Sequence, residues 1–224
     1  MSKKLFNIMV ATCGILGVAA LMVSFSINPA PPTGATIPQI VVWGKQHETL
    51  ILAGAWLQGI GSLLEVIFIL AIIRLADAVN RLAGRVTAFA ATTIMAVSLV
   101  EVSFYLSAVQ GGVSGNLTLL AISLNLIQAI QHAYVIAPAP TLLIALGCVL
   151  FDSRLLPRIF SYLAIALGII LAILGFAGTF SPLQTVVDSV LTAQEVWFAA
   201  VAIMLIIRAG KVTDTILLKQ QQAA

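Results

Sequence analysis

Six stretches of this chain are apolar for about twenty residues at a time, the length an α-helix needs to cross the hydrocarbon core of a bilayer. A backbone in lipid has no water to bond, so each stretch must satisfy its own N–H and C=O groups by forming a helix. The chain is therefore expected to be an all-α polytopic bundle. Composition agrees, with 61% of the 224 residues hydrophobic, 8% charged and a mean hydropathy of +1.11. Soluble domains carry about a quarter charged residues. The formal charge of +3 is spread among loops without a basic cluster. That argues against a nucleic-acid interface and leaves the positive residues as markers of topology.

The spans are read as 5–27, 49–75, 86–109, 134–151, 158–180 and 191–207. Lys3 and Lys4 precede the first, whose apolar run is about twice the length of a secretory h-region, so it is kept as a span. Residues 28–45 hold Pro29, Pro31, Pro32, Gly34 and Pro38 and are expected to be an external loop, partly folded against the membrane through Val41, Val42 and Trp43. Gly111, Gly112, Gly115 and Asn116 favour a turn after the third span. Residues 117–151 are too many for one span and too few for two. Arg154 and Arg158 belong on the positive, inner side, which demands an odd number of crossings, and one crossing fits. Residues 117–132 then become an extra outer-side helix, re-entrant or interfacial, with Asn125, Gln128 and His132 on one face. On this path every Lys and Arg except Lys45 lies inside, so both termini are expected in the cytoplasm and the protein in the inner membrane. Cys13 and Cys148 sit in apolar runs without C-x-x-C spacing and read as buried small hydrophobes.

A carboxylate at membrane depth is costly and points to function. The phrase Ser62-Leu63-Leu64-Glu65-Val66 is echoed by Ser98-Leu99-Val100-Glu101-Val102, which puts one carboxylate in each arm of a hairpin. Counted at about 1.5 Å per residue from the inner ends, Glu65 lies roughly 13 Å deep and Glu101 roughly 22 Å, level with Gln58. Gly54, Gln58, Gly61 and Glu65 make one stripe expected to face other helices, as do Ser98, Glu101 and Tyr105 on the next span. With Gln194 and Glu195 near the outer mouth, the expected site is a polar pocket in the outer half, lined by Gln58, Glu65, Glu101, His132 and Glu195. No basic side chain is expected at that depth, so proton coupling or cation binding would exploit the two carboxyls. The bland alternative is that each is a neutral acid bonded to a neighbouring helix for packing alone.

No G-x-S-x-G, H-E-x-x-H, P-loop or dinucleotide fingerprint occurs, so no catalytic residue is assigned. No cofactor is expected beyond the remote option of a haem between His47 and His132, and no metal. The expected company is the lipid bilayer and either a membrane-protein partner or a small ligand or ion. The leading expectation is a non-enzymatic binding or accessory component. A small proton- or cation-coupled transporter using Glu65 and Glu101 comes second, and a membrane-embedded enzyme third.

One more signal comes from Leu146-Gly147-Cys148-Val149-Leu150-Phe151-Asp152-Ser153-Arg154-Leu155-Leu156-Pro157-Arg158, a Gly-rich span after it, and Gln194-Glu195-Val196-Trp197 opening the last helix. In these the chain resembles a large bacterial family of roughly 220-residue multi-pass membrane proteins known as a domain of unknown function, whose most recognisable word is the Ser-Arg-x-x-Pro-Arg turn. The likeness extends to Glu101, but family members often carry Arg three residues earlier, where this chain has Ser98. The resemblance implies the fold and leaves the activity open.

Overall fold

The computed structural model describes residues 3–28, 34–153, 155–178 and 184–222. It comprises seven helices: α1 Lys3–Ile27, α2 Ile37–Leu75, α3 Leu82–Ser114, α4 Leu117–Ile136, α5 Pro138–Ser153, α6 Arg158–Gly178 and α7 Gln184–Gln222. No strand occurs among the described residues. Six stretches are long and apolar enough to cross a membrane, with α4 and α5 together making the fourth.

The helices run longer than the apolar pattern alone predicts. α2 begins at Ile37, inside the expected loop. Gly34 turns at φ +72°. The Thr36 backbone N–H then donates 2.8 Å to Gln39 Oε1, which caps the new helix. Pro38 falls in the first turn, where its missing N–H has no partner to lose. Residues 29–33 of that expected loop lie outside the described residues. α3 likewise continues to Ser114, through two glycines expected to stop it. A Cβ on Gly111 would come within 2.8 Å of the Leu120 backbone N, so that glycine permits close approach of α4. Only Gly115, at φ +73°, makes the turn. The Asn116 side chain then accepts the Leu119 N–H at 3.0 Å and starts α4.

The segment expected to be a separate outer-side helix is α4, and it packs lengthwise against α3 and α6. Ser123 Oγ donates to Ser107 Oγ at 2.9 Å, and Gln131 reaches Glu101, so α3 and α4 run antiparallel. The break from α5 falls at Ala137 (φ −134°, ψ −56°), just before Pro138, whose ring disfavours helix in the residue ahead of it. α6 presses against that break: a Cβ on Gly175 would meet the Val135 carbonyl oxygen at 2.7 Å. Asn125 and Gln128 are exposed, on the part of α4 near Gly115.

Side by side, the columns close on themselves. α1 packs on α2, α2 on α3, α3 on α4 and α5, these on α6, α6 on α7, and α7 back on α1. Small residues set the spacing: Gly17 faces Gly61 across α1 and α2, while Gly147 meets Ile165 and Gly168 meets Ile144 across α5 and α6. Phe68, Phe198, Leu143 and Leu171 are fully buried, whereas Trp56, Phe89, Ile173 and Phe176 are exposed on the perimeter, as lipid-facing residues would be. Cys148 is exposed on that perimeter, against the expectation of a buried residue, because Gly147 beside it takes the inward position against α6. Both cysteines are free.

The last column is anchored by the Trp197 indole N–H, which donates to the Phe160 carbonyl at 3.1 Å. Trp197→Phe is expected to lower stability by about 1 kcal/mol, the net worth of one such bond, as a small fall in the unfolding midpoint of the detergent-solubilised protein.

Candidate functional site

The polar stripe on α2 faces helices, as its spacing predicts. Gly54 and Gly61 turn to α1, where Ser24 Oγ donates to the Gly54 carbonyl at 2.7 Å. Ser62 meets Ser98 of α3 at 2.7 Å, hydroxyl to hydroxyl. One turn towards Gly115, the Gln58 amide donates to Glu101 Oε2. These two contacts set the register of the hairpin and confirm that Gln58 and Glu101 share a level. Gln131 of α4 completes the upper station by donating to Glu101 Oε1 at 2.7 Å, with Tyr105 Oη 3.4 Å from the same amide. Asn28 is a hydrogen-bond partner of Tyr105 at the Gly115-side edge of this group.

Glu65 lies seven residues beyond Gln58, about 10 Å further along α2. Its electrostatic neighbour is Glu195 of α7. Gln194 lies within 3.4 Å of Glu195 Oε1, and its amide donates to Tyr134 Oη at 3.0 Å. Tyr134, one turn past Gln131, interacts electrostatically with Glu65, Glu195 and Glu101. It bridges the upper station to a lower one made of Glu65, Gln194 and Glu195. Gln58, Glu65, Glu101, Gln194 and Glu195 are all buried. None of the three carboxyls has a Lys or Arg neighbour among the described residues.

Two members sit elsewhere than their sequence pattern suggests. His132 packs its ring against Gly178 of α6, 3.3 Å from where a Cβ would stand, and Gln131 takes the place at Glu101. The inward face of α4 runs Leu120, Ser123, Ile127 and on to Gln131, not along Asn125, Gln128 and His132. A spacing of four residues from Ser123 through Ile127 to Gln131 was the signal for it. Glu195 lies with Glu65 instead of at the mouth, because α7 starts at Gln184 and buries Glu195 eleven residues down, about 16 Å. His47 Nδ1–H donates to the Trp43 carbonyl, 2.8 Å away, and the ring stacks on Trp43, so the two histidines have separate partners. Among the described residues no three His, Cys, Asp or Glu side chains form a metal-holding cluster.

The upper station gives a direct prediction. Gln58→Leu and Gln131→Leu each remove a donor from a buried carboxyl, at an expected cost of about 1–3 kcal/mol. Adding Glu101→Leu to the double variant should recover much of that loss in thermal unfolding. Costs that simply add would show that the three side chains do not act together.

Six apolar columns that close on themselves and enclose a group of buried polar side chains, with other aromatic and aliphatic side chains turned outward, define a multi-pass membrane protein. The chain belongs to the family described as Domain of unknown function (DUF4386), whose model matches residues 5–208 and so takes in all six columns and both stations. No curated protein and no solved structure matches it.

Proposed function

We propose that this protein is a proton- or cation-coupled carrier of the bacterial inner membrane, with both termini in the cytoplasm and the two stations as steps of its ion path. One observation carries the reading: three buried carboxyls lie in two neighbouring polar groups without a basic partner among the described residues. Residues that only pack have no need of three charges, each of which is expensive to bury unpaired. Each must be neutralised by a proton or by a bound cation, and exchanging that neutralising ion is what a coupled carrier does. The charges support this orientation: Arg74, Arg81, Arg85 and Arg158 gather at one end of the bundle, and positive residues favour the cytoplasmic side. Glu101 then lies in the outer half and Glu65 in the inner half.

The test is dissipation of an imposed pH gradient by the purified protein in proteoliposomes carrying a pH-sensitive dye. Wild type is expected to collapse the gradient faster than empty vesicles, and Glu101→Gln to remove the excess. A wild-type rate equal to that of empty vesicles under an imposed pH gradient and, in a parallel assay, under an imposed sodium gradient refutes the carrier and leaves the accessory component.

A further inference from the structure

The lower station differs from the upper one in how its oxygens are satisfied. Both oxygens of Glu101 accept a glutamine amide. At the lower station Glu65 Oε1, Glu195 Oε2 and Gln194 Oε1 are all buried from solvent and have no hydrogen-bond partner. Gln194 is 2% exposed, and its amide nitrogen is already spent on Tyr134 and Glu195, which leaves its oxygen free. Buried polar atoms without partners are rare and need a reason. Here all three are acceptors, two from carboxyls that feel each other electrostatically and one from the amide between Glu195 and Tyr134.

We infer that Glu65, Gln194 and Glu195, with the Tyr134 hydroxyl beside them, form a binding site for a dehydrated alkali cation. Oxygen donors select a hard ion, and the absence of His or Cys from the group speaks against the softer transition metals. Magnesium sheds its water reluctantly and usually keeps several molecules of it, and calcium takes six to eight oxygens. Neither suits a buried cluster with two carboxyls and one amide oxygen. One alkali cation leaves a single negative charge on the two carboxyls, which one proton shared between them balances. The ion and a proton are therefore held together, on two helices, α2 and α7, that belong to different parts of the ring.

This inference rests on the carrier reading for the ion's purpose, and the test separates the two. Equilibrium binding of radioactive sodium to the purified full-length protein in detergent is expected to saturate, to yield to unlabelled lithium or potassium, and to be lost in Glu65→Gln and Glu195→Gln. Should those variants not run as single species on gel filtration, Gln194→Leu, which removes the neutral oxygen together with the amide N–H donors to Tyr134 and Glu195 but changes no charge, is expected to weaken binding by at least about tenfold, the effect of one good interaction. No saturable sodium binding by folded wild type, binding that survives all three substitutions, or displacement by calcium in preference to alkali ions overturns the site. Gradient collapse lost in Glu101→Gln without sodium binding overturns this site and keeps a proton carrier. Sodium binding without collapse of either a pH or a sodium gradient supports the site and overturns the carrier.

Discussion

Glu101→Gln is expected to reduce the rate of gradient collapse to that of empty vesicles while the protein remains folded. The substitution is nearly isosteric, and both partners of Glu101 are glutamines, whose amides can turn to present an oxygen where they now present nitrogen. The hydrogen-bond ring therefore closes again with an amide at its centre, at a cost of about 1 kcal/mol. On the proposed carrier reading, what is lost is the group that takes and gives a proton or holds a cation. Glu48→Gln, about three turns into α2 and ten residues before Gln58, serves as the control and should transport like wild type. Glu101→Asp keeps the carboxyl but withdraws it by one methylene from Gln58 and Gln131, so a reduced rate is expected in place of none. Unchanged transport in Glu101→Gln would remove the upper station from the path.

Gly84→Ala is expected to do the greatest harm to the fold. α2 ends in a tight reversal in which Asp77 is left-handed at φ 52° and the Ala78 N–H donates to the Ile73 carbonyl at 3.0 Å. The chain then re-enters α3 so closely that a Cβ on Gly84 would stand 1.9 Å from the Ala78 carbonyl oxygen and 2.7 Å from its carbon. Those atoms are backbone, so no rotamer change relieves the clash. Either α3 swings away from the reversal or the reversal opens and gives up the bond from Arg81 N–H to the same Ala78 oxygen. Overpacking typically costs about 1–3 kcal/mol and occasionally more, and a backbone contact belongs at the upper end. Because this hairpin carries Glu65 and Glu101, both stations would move with it. Gly59→Ala is the matched control: nothing lies within 4 Å of its Cβ position, and alanine favours helix by about 1 kcal/mol over glycine. Thermal unfolding in detergent should show a large drop for the first and none, or a small rise, for the second. Equal stability of Gly84→Ala and wild type would contradict the close approach.

Much of the frame was legible before any tertiary contact was known. Helix count follows from hydropathy, and the inward stripes of α2 and α3 follow from helical spacing, since both are properties of a single helix. The level shared by Gln58 and Glu101 was also within reach, because a short hairpin loop fixes the depth of both its arms. The helix ends were less legible. Pro38, Gly111 and Gly112 look like breakers, yet Pro38 fits a first turn and Gly111 serves the packing of α4.

By itself, then, the sequence determined that the chain crosses the membrane six times and that Gln58, Glu65 and Glu101 turn away from lipid, because burying a polar group in hydrocarbon is too costly whatever the neighbours are. Only the tertiary structure decided who those neighbours are. The rotation and axial position of α4 and α7 are set by contacts distant in the chain, Gly175 against the α4 break and Trp197 on the Phe160 carbonyl. Those contacts bring Gln131 to Glu101 in place of His132, and Glu195 down to Glu65 in place of the mouth. A row of polar residues on separate helices thereby becomes two stations joined by Tyr134.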